Sequence, residues 1–333
     1  MKDLYLGIDT SNYRTSAAVI DADGNVTAQK AVLLDVPEGK RGLRQSEAFF
    51  MHSNRLPEYI EELFAAADPV YIRAVGVSER PRRVEGSYMP CFLAGVNAAR
   101  EIAAALSIPV YGFSHQEGHA AAVMESDRVT PSSETLFFHL SGGTTEALLC
   151  SPDDKGYSME IVGGTRDISA GQLLDRFGVA LGMPFPSGKY LDDIAYEVLE
   201  TAGFDTGYIA KSGVMPRIRI EDGYFNLSGA ETRLMRYAGT DGPASSSEVI
   251  AELFAYLSEL LIQDARSLSE RYGAENIYMA GGVASSRTFR AIAQKNKSLD
   301  IRFGSPALSG DNAVGTALLV GRIYETGNSN SGK

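Results

Sequence analysis

The sequence predicts an α/β protein made of two duplicated domains. Strands that look buried alternate with amphipathic helices along the whole chain. A unit of strand, small polar turn and strand occurs twice, at 4–20 and again at 136–150. The composition, with 44% hydrophobic residues, 22% charged residues and 34 glycines, is typical of a globular α/β protein with many tight turns. At 333 residues the chain is long enough for two ordinary domains.

The elements of the first half begin with a meander and end at a pair of histidines. In chain order they are strands at 4–8, 15–20 and 26–32, a helix at 46–67, a strand at 74–77, a helix at 91–105 and a strand at 110–113. The next helix opens with His115, so the histidines follow a strand directly, where open α/β sheets usually carry their sites.

The second half repeats the meander and then becomes mainly helical. Its elements are strands at 136–140 and 146–150, helices at 170–181, 190–201 and 245–272, a strand at 276–280, and helices at 287–294 and 313–324. We therefore expect domain I at 1–130 with 311–325, and domain II at 131–310 with a helical insertion at about 166–272. The Gly-, Asn- and Ser-rich residues 326–333 predict a flexible tail.

The formal net charge of −11 is unfavourable for binding a phosphate backbone without help. A nucleic-acid substrate would need a partner or a local basic patch. Two candidate patches contain Arg80, Arg82 and Arg83, and Lys211, Arg217 and Arg219. The two cysteines lie outside any C-x-x-C motif, the first residues are not apolar, and no apolar run approaches about 18 residues. These features predict a cytoplasmic protein without a membrane span.

His115 and His119 are four residues apart, which places both imidazoles on one helix face. In a chain with only four histidines, this spacing predicts a metal site. A metalloprotease helix, H-E-x-x-H, has its glutamate one residue after the first histidine, whereas Glu117 is two residues after it. At about 100° per residue Glu117 points away from the histidines. With Ser114 it fits a helix capping box instead, which argues against a peptidase.

Three small-residue turns, at 9–11, 141–145 and 281–285, each follow a strand. Glycine lets backbone N–H groups approach an anion, and a following helix adds its positive end. Three such turns in a duplicated chain resemble the superfold of actin, the sugar kinases and the Hsp70 ATPase (the ASKHA fold). The resemblance implies an actin-like ATPase fold with a cleft between two domains, two phosphate turns and a later Gly-Gly loop for adenosine.

Further motifs resemble the TsaD family, the glycoprotease-like tRNA threonylcarbamoyladenosine synthases. The matching segments are Gly-Ile-Asp-Thr-Ser (7–11), His-Gln-Glu-Gly-His (115–119), Leu-Ser-Gly-Gly (140–143), Ala-Gly-Gln-Leu-Leu-Asp (170–175), Ala-Gly-Gly-Val (280–283) and Asp-Asn (311–312). The resemblance implies one iron or zinc ion on His115, His119 and Asp311. It implies that ATP, AMP or an acyl-adenylate is bound by Leu140, Ser141, Gly142, Gly143, Thr144, Asp175, Gly188, Gly281, Gly282 and Ser286. Asp9 and Ser141 are the candidate catalytic residues. Magnesium as an additional cofactor and a homodimer as the assembly are further possibilities that the sequence leaves open.

The reaction implied by this resemblance is transfer of a threonylcarbamoyl group from its adenylate to adenosine in tRNA. A paralogous subunit and an ATPase are the implied partners. The chain departs from the family at Thr144, where members have histidine, and at Ser286, where they have asparagine. Residues 78–83 also replace a Gly-Pro-Gly loop, a pattern that suggests a diverged paralogue. Two alternatives therefore stay open: a carbamoyltransferase for a small molecule or protein, and a nucleotide-binding paralogue without catalysis.

Overall fold

The computed structural model describes residues 2–11, 14–35, 43–124, 133–154, 156–210, 212–239, 246–304 and 313–331. The chain divides into two compact units. Unit 1 contains Met1–Pro131, Pro152–Met159 and Ala307–Lys333, and unit 2 contains Ser132–Ser151 and Glu160–Pro306.

The sheet of unit 1 has five strands in the order β3-β2-β1-β4-β5. They are β1 (Leu4–Asp9), β2 (Arg14–Asp21), β3 (Val26–Leu33), β4 (Ile72–Arg80) and β5 (Val110–Ser114). The first three form an antiparallel meander, whereas β1, β4 and β5 are parallel neighbours. Because parallel strands end at the same edge, the residues that follow β1, β4 and β5 meet there.

Four α-helices of unit 1 fall among the described residues: α1 (Gln45–Ala66), α2 (Phe92–Leu106), α3 (His115–Met124) and α9 (Val314–Ser331). α9 packs closely on α3, and glycine makes this approach feasible. A Cβ added at Gly315 would collide with the backbone oxygen of Gly118, and a Cβ at Gly7 would collide with the backbone of α9 and of Ala313 just before it. The last helix thereby supports both β1 and the helix that carries the histidines.

The sheet of unit 2 has the order β11-β10-β6-β7-β8-β9. Its strands are β6 (Thr135–Leu140), β7 (Thr145–Asp153), β8 (Gly156–Thr165), β9 (Tyr224–Phe225), β10 (Asn276–Ala280) and β11 (Ile301–Phe303). Without β9, the order β8-β7-β6-β10-β11 repeats β3-β2-β1-β4-β5 of unit 1. The predicted duplication of an α/β domain is therefore confirmed.

The helices of unit 2 within the described chain are α4 (Ala170–Ala180), α5 (Gly188–Thr201), α6 (Ser228–Ala238), α7 (Ser246–Tyr272) and α8 (Arg287–Lys295). The unit's core is built around α7, where Leu253, Leu257 and Leu261 recur every four residues and are buried. The segment predicted as a helical insertion, about 166–272, also contains the short strand β9.

Two boundaries differ from those predicted. The turn of the β7–β8 hairpin, Pro152–Met159, belongs to unit 1, although the sequence placed all of 131–310 in domain II. α9 continues to Ser331 instead of ending at Tyr324, so residues 326–331 form helix and not a separate tail. The flexible tail was predicted because glycine and asparagine have a low helix propensity, but the helix continues through these residues. Among the described residues, none of the helices has the length and apolar character needed to cross a bilayer.

Candidate functional site

The candidate site of unit 1 lies where β1 and β4 end and α3 begins. The carboxylate of Asp9, the last residue of β1, is 1% exposed. Its Oδ1 accepts a hydrogen bond from the Ser11 amide at 2.8 Å, and its Oδ2 accepts one from Ser78 Oγ at 2.5 Å. Oδ2 also lies 2.8 Å from Nδ1 of His115, the first residue of α3. Three segments distant in sequence thus meet on one carboxylate.

Asp9 is ionised at neutral pH despite its burial. Burial raises the pKa of its carboxyl group, but the interaction with His115 and the hydrogen bonds from Ser78 and Ser11 outweigh it and lower the pKa to about 2. An ionised carboxylate can only accept hydrogen bonds, so it selects the tautomer of His115 that carries its proton on Nδ1. Nε2 of His115 then carries the lone pair, and it faces Nε2 of His119.

Nε2 of His115 and Nε2 of His119 are 2.9 Å apart, and the two rings meet edge to face with centroids separated by 4.3 Å. Histidines that bind a metal commonly donate their other ring N–H to a carboxylate, which fixes the tautomer and the ring orientation. The Asp9–His115–His119 arrangement has this form, and its two imidazole nitrogens suit a divalent ion of the iron or zinc class. These residues therefore fit the metal that the sequence predicted.

The third predicted ligand, Asp311, lies outside the described residues. Within the described part of the chain, no group of three or more His, Cys, Asp or Glu side chains is arranged to hold a metal. The full ligand set, His115, His119 and Asp311, stays a prediction. Asp9 acts as a positioning residue for His115 in this geometry, and its predicted catalytic role also stays a prediction.

Glu117 closes the start of α3, as predicted. Its Oε2 accepts hydrogen bonds from the amide and the hydroxyl of Ser114, both at 2.8 Å, and its own amide donates to Ser114 Oγ at 3.2 Å. Its Oε1 accepts from the Tyr157 amide at 3.3 Å and from Arg83 Nη1 at 3.4 Å. The carboxylate is 1% exposed and fully used by these contacts, so it does not serve as a peptidase base.

Two arginines of the first candidate basic patch, Arg83 and Arg80, form contacts within the protein. Arg83 Nη1 donates to Asp153 Oδ2 at 2.8 Å and to the Tyr157 carbonyl at 3.1 Å, which fastens the β7–β8 turn beside α3. Arg80 forms an ion pair with its neighbour Glu79 at 3.0 Å. Arg83 therefore has a structural role, and the charge of Arg80 is paired with an acidic neighbour.

In unit 2 the predicted phosphate turn joins β6 to β7. It is closed by hydrogen bonds from the Ser141 amide to the Thr144 carbonyl, 2.8 Å, and from the Thr144 amide to Ser141 Oγ, 3.0 Å. Ser169, the N-cap of α4, donates from Oγ to the Gly142 carbonyl at 2.7 Å. The amides of Gly142 and Gly143 make no hydrogen bond to any described residue, and both glycines are exposed. Two unused N–H groups beside the start of a helix form a suitable site for an anion.

Other predicted nucleotide residues lie in two further loops of unit 2. Asp175 Oδ1 accepts hydrogen bonds from the Ser187 amide at 2.7 Å and the Gly188 amide at 3.3 Å, and so holds the loop before α5. Gly281 has φ +104°, and a Cβ there would collide with the backbone of Leu140, whose carbonyl accepts from the Val283 amide at 2.9 Å. The predicted Gly281–Gly282 loop therefore packs directly on the end of β6.

Ser286 has a structural role as the N-cap of α8. Its Oγ caps α8 by accepting from the Phe289 amide at 3.0 Å, and it donates to Asp192 Oδ1 at 2.6 Å. Asp192 also accepts from the amides of Arg287 and Thr288, at 2.8 and 3.1 Å, so its carboxylate stands at the N-terminus of α8 where an anion would otherwise bind. Contact of Ser286 with a nucleotide stays a prediction.

Two polar residues for which the sequence predicted no individual role, Ser78 and Asp192, are built into these sites. Ser78 follows a buried strand, and its position is meaningful only because β4 runs parallel beside β1. Asp192 is a carboxylate on a helix with the pattern of an ordinary amphipathic surface. Its role depends on α5 packing beside α8, which no local pattern indicates.

The strand order of both units defines a protein of the actin-like ATPase fold, with a paired-histidine site in unit 1 and a glycine turn in unit 2. Solved structures agree on the fold. HypF from T. kodakarensis superposes with a TM-score of 0.59 at 13% identity, covering 98% of this chain and 48% of that one. A ROK family transcriptional regulator superposes with a TM-score of 0.52 at 12% identity, covering 98% and 81% of the respective chains.

Sequence comparison identifies the family. The profile of the TsaD family, tRNA N6-adenosine threonylcarbamoyltransferase, matches residues 36–318. The relative of that name in Enterococcus faecalis is 30% identical over 96% of this chain and 90% of its own. The one in Bacillus licheniformis is 29% identical over 98% and 94%. This chain belongs to the TsaD family.

Proposed function

We propose that this chain transfers a threonylcarbamoyl group from its adenylate to the N6 amine of an adenosine in tRNA, with the help of one iron or zinc ion. The observation that carries the proposal is the Asp9–His115–His119 arrangement, in which two Nε2 atoms lie 2.9 Å apart and a buried carboxylate orients the first ring. It occurs in a chain whose family is named for this reaction.

The reaction is an acyl transfer that needs no oxidant or reductant. The adenosine amine forms a bond to the carbamoyl carbon, and the bond from that carbon to the phosphate oxygen of the adenylate breaks. AMP leaves with the electron pair of the broken bond, and the amine loses one proton to solvent. The protein's task is to hold the two reactants together and to stabilise the charge that develops on oxygen.

His115 and His119, together with Asp311, would hold the metal. When bound, such an ion acts as a Lewis acid on a carbonyl or phosphoryl oxygen. Asp9 keeps His115 in the tautomer that leaves Nε2 unprotonated, and Ser78 and the Ser11 amide hold Asp9 in turn. The three contacts preorganise the imidazole before any ligand arrives.

The nucleotide part of the donor is assigned to unit 2. The amides of Gly142 and Gly143 would bind the phosphate beside the N-terminus of α4. Asp175 and Gly188 would face the ribose, and the Gly281–Gly282 loop, with Ser286, would lie at the adenosine. Ser141 would shape the turn through the hydrogen bond that its Oγ accepts from Thr144.

The proposal also names the acceptor, the cellular location and the partner proteins. The acceptor is tRNA, and the protein would work in the cytoplasm. A paralogous subunit and an ATPase are its proposed partners, and a homodimer is an additional arrangement for which sizing of the purified protein is the test.

A second candidate, a nucleotide-binding paralogue without catalysis, is favoured by one observation. The Ser286 hydroxyl stands where the family has asparagine, and it already donates to Asp192 and accepts from the Phe289 amide. If this candidate were correct, the chain would bind AMP with a measurable affinity and transfer nothing.

Replacement in cells separates the two candidates, because the required partners are present there. A strain whose own TsaD family member is depleted would express this chain or its His115→Ala/His119→Ala variant, and its tRNA nucleosides would be analysed by mass spectrometry. The proposal predicts restored threonylcarbamoyladenosine with the wild type and none with the variant. Absence of the nucleoside with both, together with AMP binding by the purified wild type, would favour the paralogue without catalysis.

A further inference from the structure

The segment 216–221 of unit 2 presents two arginines on one face. Residues 216–220 belong to no helix or strand, and exposure alternates along them: Ile218 and Ile220 are half-buried against the core of the unit, whereas Arg217 and Arg219 are exposed. This alternation has the period of two that is typical of a chain with one face on the core and the other in solvent. Burial of the isoleucines therefore fixes the direction in which both guanidinium groups point.

These arginines line a cavity of about 710 Å³ that lies wholly within unit 2. Two more arginines reach it, Arg166 after the end of β8 and Arg233 on α6. The remaining wall includes the aromatic ring of Tyr224, which lies 5.0 Å from the guanidinium carbon of Arg166. The volume is of the size that holds a nucleotide or a few backbone phosphates.

The positive charge of this cavity is largely uncompensated. Arg217 and Arg219 make no hydrogen bond or ion pair with any described residue. Arg233 donates only to the carbonyls of Val214 and Met215, at 3.5 and 3.4 Å, which leaves its charge unpaired. Glu221 is the one acidic residue in the lining among the described residues, and its contact with Arg166 is a long one of 3.9 Å.

The nearby carboxylate of Asp167 is used in hydrogen bonds to backbone amides. It accepts hydrogen bonds from the amides of Leu227, Ser228 and Ile168, at 2.8, 3.0 and 2.7 Å. Burial raises the pKa of Asp167, but these hydrogen bonds outweigh it and lower the pKa to about 2. Its charge therefore holds the start of α6. With Glu221 it reduces, but does not cancel, the positive charge of the four arginines.

A concentrated positive cavity is unusual in a chain of net charge −11. Guanidinium groups bind phosphate through two parallel hydrogen bonds. We propose that the Arg166–Arg217–Arg219–Arg233 cavity binds backbone phosphates of the acceptor RNA. The inference deepens the proposed function, on which it rests, by naming the surface that holds the tRNA.

The test is direct binding of a labelled tRNA transcript to the purified chain over a series of salt concentrations. Arg217→Gln/Arg219→Gln is expected to weaken binding at least tenfold and to lower the slope of log affinity against log salt by about 1 for each phosphate that is no longer bound. Arg217→Lys/Arg219→Lys keeps both charges and is expected to retain the salt slope. Lys295→Gln/Lys297→Gln, which removes two exposed charges elsewhere in unit 2, is the matched control and is expected to bind as the wild type does.

Three results would overturn the proposal. Equal loss of binding in the cavity variant and the lysine control would show that the weaker binding comes from the change in net charge and not from loss of this cavity. Unchanged binding in the cavity variant would show that tRNA does not use these arginines, while threonylcarbamoyl transfer measured on the same protein would still report independently on the proposed function. If AMP or inorganic phosphate competes at the cavity and tRNA does not bind there, the ligand is a small phosphate compound and the RNA proposal is wrong.

Discussion

Asp9 and His115 form the contact on which the candidate site depends: Oδ2 of the carboxylate lies 2.8 Å from Nδ1 of the ring. The first residue belongs to the end of β1 and the second to the start of α3, so the contact ties a strand to the helix that carries both histidines. Since Asp9 is buried and ionised, it fixes the direction of Nε2 in His115.

Asp9→Ala is expected to lower metal affinity about 10- to 100-fold, because His115 loses the carboxylate that fixes its tautomer and orientation. Metal affinity would be measured by competition with a chelator, using iron and zinc in turn. Asp23→Ala removes the same charge from an exposed turn of unit 1 and serves as the control. Unchanged affinity in Asp9→Ala would mean that the carboxylate does not act through His115.

Glu117→Ala is expected to destabilise the protein by about 2–4 kcal/mol, since it removes a buried cap and leaves the buried Ser114 amide without its acceptor. Urea unfolding would measure the change in the free energy of unfolding. Glu58→Ala, at a site 66% exposed, is expected to change it by less than about 0.5 kcal/mol. A destabilisation no larger than in this control would contradict the buried position of Glu117.

Gly315→Ala is expected to destabilise unit 1 by about 3 kcal/mol or more, because the new methyl group would overlap the backbone oxygen of Gly118 and force α9 away from α3. Gly327→Ala lies on the same helix with nothing within 4 Å of the added Cβ. There alanine should stabilise the helix by up to about 1 kcal/mol. Thermal unfolding of the two variants compares them directly; similar melting temperatures would show that the helices do not pack closely.

Asp264, on α7, gives the protein a pH-dependent stability. Its carboxyl group is fully buried, neither oxygen has a hydrogen-bond partner in the described structure, and burial raises its pKa from 3.8 to about 7. The folded state therefore keeps the proton to a higher pH than the unfolded chain does. Stability from this group is present below about pH 4 and is lost as the pH rises to about 7, by roughly 4 kcal/mol.

Asp264→Asn removes the titration and is expected to flatten this dependence. Free energies of unfolding at pH 5 and pH 8 would be compared for the wild type, the variant and Asp300→Asn, whose side chain is 68% exposed. The wild type and Asp300→Asn should both lose stability between the two pH values. If Asp264→Asn loses as much as they do, another group carries the effect.

Local patterns predict the parts of this structure that depend on neighbouring residues. The capping box of Ser114 and Glu117, the helix that carries His115 and His119, and the duplicated order of elements all follow from short spacings. The structure has each of them, with boundaries close to those predicted.

Pairings between distant segments are not predictable in the same way. The sequence predicts a basic patch around Arg83 because nothing in its neighbourhood shows that the β7–β8 turn, some seventy residues later, supplies Asp153 as its partner. The hydrogen bond between Asp192 and Ser286 likewise needs two helices to pack side by side. Such pairings depend on tertiary structure, which a single sequence does not encode in a local pattern.

The decisive measurement is label transfer from threonylcarbamoyl adenylate, carrying an isotope in its carbamoyl carbon, to a tRNA transcript in the presence of the purified chain and the partner proteins of its host. We expect label on an adenine of the tRNA, released AMP in equal amount, and loss of both with His115→Ala/His119→Ala. Adenylate consumed without label in the tRNA would contradict the proposed transferase function, and transfer undiminished in the variant would contradict the role of His115 and His119 in it.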